Sequence, residues 1–497
     1  MNFAQSVKMT NTNTTKRTEN GAFAYSTTQN ALLDLFAQIG ALRPRSESEI
    51  RQKFAEAFQI DNALATKMLF YTGNIRGGLG ERRTFRICLK WLAQNHPAIV
   101  KQNITNIPHF NRWDSLFTLV GTPCEEFMWD YIGQVLNADL AAVAQSKKDH
   151  KTRSITLLAK WMPTETASAK ETKKLAKTAI KELALTPRQY RKMLSALRNY
   201  LKVVERSMSK QEWNAIQYEA VPSYAMKNYR GAFAKHDFDR FSAYKSSLVK
   251  GEVKVNASTL YPYDLVDQYI HKSYYKIDDI IEAQWKALPN YVSGENNVIV
   301  MADVSGSMNW NGGRPMATSI GLATYFAQHN KGFYKNLYMT FTDKPHFIHL
   351  RDNCSLYDAC RQVMNTDVGY NTNLAAAFDH ILEHAVRNHI SPKDMPKALV
   401  VVSDMEIDQY MRPGYKWPFL ETMKAKFAMF GYALPKIVLW NVEARNDTFL
   451  SQSPDVIHVS GQSASSFRNL CQTLDGKTAW DFMLEVLNDK QYDCVKV

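Results

Sequence analysis

The chain has 497 residues, 61 Lys plus Arg against 48 Asp plus Glu, and a formal net charge of +13. With 45% hydrophobic and 22% charged residues it has the composition of a globular protein, which excludes a disordered or fibrous chain. The length suggests two or three domains. The basic surplus is uneven: residues 1–290 carry 42 basic and 27 acidic side chains, residues 291–497 carry 19 and 21. A basic half joined to a neutral one fits a polyanionic partner, and equally a soluble basic surface. Six cysteines (Cys88, Cys124, Cys354, Cys360, Cys471 and Cys494) form no C-x-x-C pair, which argues against a disulfide scaffold or a cysteine zinc site and fits reduced thiols in a cytosol. Residues 1–21 lack the apolar core of a signal peptide, and no apolar run is long enough to span a membrane. The expected location is cytoplasmic, or a virion if the chain is phage-encoded.

In chain order, residues 1–27 read as a polar N-terminal arm. Residues 28–290 show helical periodicity near 30–42, 48–59, 62–71, 81–95, 126–145, 170–183 and 263–288. The clearest case is 186–205. Thr186 suits an N-cap and Pro187 the first helical position. Tyr190, Leu194, Leu197, Leu201 and Val204 recur at spacings of three and four, making one apolar stripe. Arg188, Arg191, Arg198 and Lys202 fall on the other side. Packed helices without alternating strands predict an all-α, helical-repeat domain.

From residue 291 the pattern changes. Short apolar runs at 297–302, 337–341, 346–350, 398–403, 436–441 and 456–459 read as strands. Helical patterns at 314–329, 374–389, 418–430, 463–475 and 478–488 fall between and after them. This alternation predicts a doubly wound α/β domain over 291–497.

The first of these strands ends in Asp303-Val-Ser-Gly-Ser307. Two further oxygen donors stand at equivalent places: Thr372 ahead of a helix, and Asp404 after the buried run Ala398–Ser403. In open α/β sheets ligands gather beyond the carboxyl ends of the strands. An all-oxygen donor set is what a hard cation such as Mg²⁺, or alternatively Mn²⁺ or Ca²⁺, requires. Ser305, Ser307 and Thr372 would bind it directly, backed by Asp303 and Asp404. One open position would take an acidic group from a protein partner.

This D-x-S-x-S…Thr…Asp set resembles the metal-ion-dependent adhesion site of von Willebrand factor A domains. It departs from that pattern in Asn371-Thr-Asn373, where Gly-Thr-Asp is frequent, and in Ser403-Asp-Met-Glu406, where many members have Asp-Gly. Upstream, Thr18-Glu-Asn-Gly-Ala-Phe-Ala-Tyr-Ser26, Asn74-Ile-Arg-Gly-Gly-Leu-Gly-Glu-Arg82, Asn111-Arg-Trp-Asp114, Lys160-Trp-Met-Pro163, Val221-Pro-Ser223 and Lys254-Val-Asn-Ala257 stand in order. The series resembles a family of plant, bacterial and phage proteins. Such proteins pair a helical domain, similar to the TROVE domain of the Ro ribonucleoprotein, with a C-terminal A domain. The resemblance implies a HEAT-like helical body that binds structured or single-stranded RNA, without catalysis.

Composition agrees with an RNA surface in one place. Residues 151–210 hold 15 Lys or Arg and 4 Asp or Glu, interleaved with Trp161, Tyr190 and Tyr200. Basic groups neutralise phosphates and aromatic rings stack on bases. Arg188, Arg191, Arg198 and Lys202 are the candidate contacts, although Tyr190, on the apolar stripe, is expected to pack. The competing reading is a protein-interaction scaffold or assembly component whose metal site grips a partner's acidic residue.

Residues 76–82 are glycine-rich enough to cradle a phosphate. They lack the Gly-Lys-Ser/Thr ending and a preceding strand, and read as a turn between helices. His380 and His384 do not form a zinc motif, and Ser305 and Ser307 suit ligands better than nucleophiles.

Overall fold

A computed structural model describes residues 15–271, 276–342, 344–366, 372–407, 419–473 and 476–497. The N-terminal part is mostly helical, and the C-terminal part is a mixed sheet with helices on both faces. Residues 15–25, expected to belong to a polar arm, are ordered instead. Strands β1 (Thr15–Arg17) and β2 (Phe23–Tyr25) form an antiparallel hairpin. Tyr25 then exchanges backbone hydrogen bonds of 2.8 Å with Phe449, far along the chain.

Local signals set the helix starts. Ser46 caps Glu47–Ile60 and Thr186 caps Pro187–Tyr200, each in a reciprocal box with the side chain three residues on. Tyr190, Leu194 and Leu197 are buried, as the stripe predicts. The helix stops at Tyr200, short of the expected Glu205, because Lys202 turns into the left-handed region at φ 49°. Val204 therefore joins a separate core with Ile216, Phe233 and Phe241. The pattern at 263–288 is likewise two helices, Pro262–Ile270 and Asp279–Lys286, the second capped by Asp278. Helices Ser223–His236 and Phe238–Lys250 were not among the expected ones, although Phe241, Tyr244 and Leu248 of the second recur at spacings of three and four and are buried.

The sheet runs β5-β4-β3-β6-β7-β8, with β3 Val298–Asp303, β4 Leu337–Phe341, β5 Phe347–His349, β6 Ala398–Ser403, β7 Lys436–Asn441 and β8 Ile457–Ser460. All neighbours are parallel except β4 and β5. Every residue of β3 and β6 is buried, which explains their unbroken apolar runs. One face packs on helices Leu374–Arg387 and Phe419–Met429. The other face shares a continuous core with the helical part. The C-terminal segment closes on that part too: Asn74 Nδ2 donates to Gln491 Oε1 (2.9 Å), Asn106 Nδ2 to the Cys494 carbonyl (3.0 Å), and Lys496 N to Asn103 Oδ1 (3.0 Å).

The glycine-rich segment is a turn. Arg76 N and Gly77 N donate to Asn74 Oδ1, Leu79 N to the Tyr71 carbonyl, Gly80 N to the Asn74 carbonyl and Glu81 N to the Thr72 carbonyl. These five N–H groups are thus consumed inside the fold and are not turned to an anion. Among the described residues, no helix is long and apolar enough to cross a membrane.

Candidate metal centre and basic helical face

Strands β3 and β6 are parallel neighbours, so Asp303 at the end of one and Ser403-Asp404 at the end of the other meet on the same rim. Asp303 is fully buried. Its Oδ1 accepts from Ser305 N (2.9 Å) and Ser305 Oγ (2.6 Å), and its Oδ2 from Ser403 Oγ (2.5 Å). Ser305 Oγ lies 3.2 Å from Ser307 Oγ, and the Ser307 hydroxyl is near enough to Asp404 to favour its charged form. Four of the five expected donors therefore sit together at one rim. Thr372 is buried just ahead of Leu374–Arg387, a helix capped by Asn373. Its helix shares a core with Met301 and Met405, beside the same rim. Asn371 of the threonine motif lies outside the described residues.

Burial raises the Asp303 carboxyl to about 7, reinforced by the charge of Asp404 and opposed by the Ser305 and Ser403 hydrogen bonds. Burial also raises Asp404, against the pull of Arg445. Two buried carboxylates on one rim, one of them paired with Arg445, leave room for further positive charge. Two hydroxyls beside them complete a set that suits a hard divalent ion. Among the described residues no cluster of three or more His, Cys, Asp or Glu could hold a metal ion.

Three further residues take part: Ser403 and Met405, which stand in the third motif without an assigned role, and Arg445, which the sequence did not single out. Ser403 ties Asp303 down. Met405 adopts φ 65°, a left-handed conformation that favours glycine, and its N–H bonds to Ser403 Oγ (3.0 Å). Arg445 places Nη2 2.8 Å from Asp404 Oδ2. It stands on the loop that follows β7, four residues past Asn441, whereas Asp404 directly follows β6. Met405→Gly is expected to relieve about 1 kcal/mol of left-handed strain and to lose about 3 kcal/mol of buried packing. Met405 is 4% exposed, so packing wins. Urea unfolding should show a net loss of about 2 kcal/mol.

The expected RNA contacts separate into two kinds. Arg188, Arg191 and Lys202 are exposed, although Arg191 also pairs with Glu165 (3.0 Å). Arg198 is not available to a ligand. Its Nε and Nη2 donate to the carbonyls of Ala159 (2.8 Å) and Met162 (2.7 Å), and it belongs to the scaffold. Expected stacking on the aromatics is also redirected. Tyr190 donates to the Pro163 carbonyl (2.8 Å), Tyr200 is bonded to the Arg153 backbone, and Arg112 covers Trp161 at 4.1 Å. Lys170, Lys173, Lys174, Lys177 and Lys181 of helix Lys170–Glu182 are all exposed, as is Lys192 on the next helix. Composition alone counted these lysines without singling them out.

Several comparisons place the chain. Residues 18–112 and 130–295 match the model of a domain of unknown function, DUF2828, and residues 297–488 match a second, DUF7788. Uncharacterized protein L728 of Acanthamoeba polyphaga mimivirus is 30% identical over 466 residues, covering 87% of this chain and 80% of that protein. A search by fold finds the crystal structure of the Deinococcus radiodurans RO (RSR) protein, with 14% identity, a TM-score of 0.46, and coverage of 93% of this chain and 99% of that one. The chain belongs to the family that the DUF2828 domain defines, with a DUF7788 domain following in the same polypeptide.

Proposed function

We propose that this chain is a non-catalytic, cytoplasmic RNA-binding protein, with a TROVE-like helical body as the RNA surface and an A-type domain that carries a Mg²⁺ site. The observation that carries it is the run of exposed basic residues on two consecutive helices: Lys170, Lys173, Lys174, Lys177 and Lys181, then Arg188, Arg191 and Lys192. Two of these pair with an acid, Lys181 with Glu182 and Arg191 with Glu165. Neutralising phosphates and releasing their counterions is a role that rewards such crowding of like charge. The sequence resemblance to Ro-type proteins points the same way. Ser305, Ser307 and Thr372, supported by Asp303 and Asp404, would hold the cation, which supplies a fixed positive charge at the rim.

The test is a titration of fluorescent single-stranded and hairpin RNA by anisotropy at several salt concentrations. Saturable binding that falls steeply with salt is expected. No saturable binding at 50 mM salt, or an affinity indifferent to salt, would refute the reading. A calorimetric titration with Mn²⁺ checks the metal: wild type should take up one ion and Asp303→Ala none.

One observation favours the scaffold alternative. Trp310, next to the rim and facing Arg445 at 5.8 Å, is 56% exposed. An exposed indole beside a cation that takes a carboxylate suits an acidic protein partner. In that case a chelator abolishes partner capture and RNA produces no signal.

A further inference from the structure

The metal reading leaves one group unexplained, the guanidinium of Arg445. Asp404 is 2% exposed, and Arg445 is the cation on its Oδ2. The same guanidinium places Nη1 3.1 Å from Glu19 Oε2, so one arginine bridges the rim and the N-terminal hairpin. Its backbone is not free to follow the side chain. Ala444 N donates to the Ala41 carbonyl (2.9 Å), and Arg45 Nη1 donates to the Arg445 carbonyl (2.6 Å). The helical part thus holds the loop, while the side chain is shared between two carboxylates. Arg445 Nε is buried and makes no hydrogen bond, so its present seat leaves a donor unsatisfied.

The hairpin is docked on the residues just past Asp404. Glu406 Oε2 accepts from Glu19 N (2.7 Å), the Glu406 carbonyl from Asn20 Nδ2 (2.7 Å), and the Ile407 carbonyl from Thr18 Oγ1 (2.5 Å). Asn446 Nδ2 reaches both Glu19 Oε1 (2.9 Å) and Glu406 Oε1 (3.1 Å). The motif Thr18-Glu-Asn-Gly21 is therefore a clamp on the rim, and Glu19 is its acidic tip.

Arg445 balances one of the two buried carboxylates. An arriving divalent cation balances both, and the guanidinium beside it is then repelled. The partner it needs is already in contact. Resting on the metal site proposed above, we infer that Arg445 is the built-in counter-ion of Asp404, that a hard divalent cation binds by exchanging with it, and that Glu19 of the hairpin receives the displaced guanidinium. Arg445 is a residue that sets the affinity of the site, and Glu19 sets it through Arg445. The hairpin is gripped harder in the metal-bound state.

A double-mutant cycle read by Mn²⁺ calorimetry on the full chain tests this. Arg445→Gln removes the competitor and should tighten Mn²⁺ about tenfold, the scale of one charge-assisted hydrogen bond. Glu19→Gln removes the receiving carboxylate and should weaken Mn²⁺ by about threefold or more. In the Arg445→Gln background, Glu19→Gln should have no effect, because nothing is displaced. Equal Mn²⁺ heats from wild type and Asp303→Ala would overturn the metal site and this inference with it. If wild type binds and Asp303→Ala does not, the inference alone falls on either of two results: Arg445→Gln no tighter than wild type, or Glu19→Gln changing affinity equally in both backgrounds. Should Arg445→Gln lose its cooperative melt, Glu19→Gln, at a half-exposed position, stands by itself, and an unchanged affinity refutes the exchange.

Discussion

Replacing Lys173, Lys174, Lys177, Arg188 and Lys192 together with alanine is expected to weaken single-stranded RNA on the order of 10³-fold at 0.15 M salt. Each phosphate neutralised on a single strand adds about 0.7 to the slope of log affinity against log salt, or roughly fourfold in affinity at that concentration. Removing all five charges should flatten the slope by about 3.5. All five side chains are exposed and none forms an ion pair among the described residues, so the fold should be unaffected. Arg198→Ala is the contrasting variant. It strips donors from the Ala159 and Met162 carbonyls and should cost about 1–3 kcal/mol of stability, with the salt slope unchanged. Anisotropy titrations over a salt series, with urea unfolding alongside, separate the two. If the fivefold variant binds like wild type, this face is not where RNA sits.

The second large effect is expected at Gly80. Its φ is +64°, and an added Cβ would stand 1.7 Å from the Tyr261 hydroxyl. Tyr261 is stacked on Tyr263 (5.9 Å between centroids), and Tyr263 packs under Arg314 (4.5 Å), so the ring has little room to yield. Left-handed strain of about 1–2 kcal/mol adds to overpacking of about 1–3 kcal/mol. Gly80→Ala should lose about 3 kcal/mol or more in urea unfolding followed by far-UV circular dichroism. Gly121→Ala, also at positive φ but with open space around it, should lose only the backbone part. Equal losses at the two positions would show that the Tyr261 contact contributes nothing. The same pair separates a turn from an anion cradle: if the loop served a ligand, Gly80→Ala would depress binding without lowering stability.

The α/β half was easily read because a fully buried parallel strand has no polar face to confuse its signal. The runs Val298–Asp303 and Ala398–Ser403 announce themselves, and a parallel sheet gathers their carboxyl ends on one rim. Asp303 and Asp404 could therefore be paired across about a hundred residues by position alone. The helical half was read less evenly. The stripe Tyr190, Leu194, Leu197 marks a helix, but the pattern continues into Leu201 and Val204 after the backbone has turned at Lys202. Periodicity reports hydrophobic spacing and is blind to one residue in the left-handed region. The N-terminal hairpin was invisible for a related reason. Three-residue strands carry no period, and the hairpin is held by Phe449 on its second strand and by Glu406 and Ile407 on its turn, all far along the chain.

The sequence alone determined where the chain changes class, which strands are buried, and which oxygens stand at their ends, because all three depend on local hydrophobic pattern and strand order. It also determined that basic charge concentrates in 151–210. Only the tertiary structure decided how those groups are used. It spends Arg198 on two carbonyls, leaves the neighbouring lysines in solvent, and fills the glycine-rich turn with its own hydrogen bonds. It also brings Arg445 to Asp404 from 41 residues along the chain, and Glu19 to Arg445 from near the start of the sequence. The physical reason is that a hydrogen-bond or ion-pair partner is chosen by distance in space. The pattern along the chain sets which groups are available and not which of them meet.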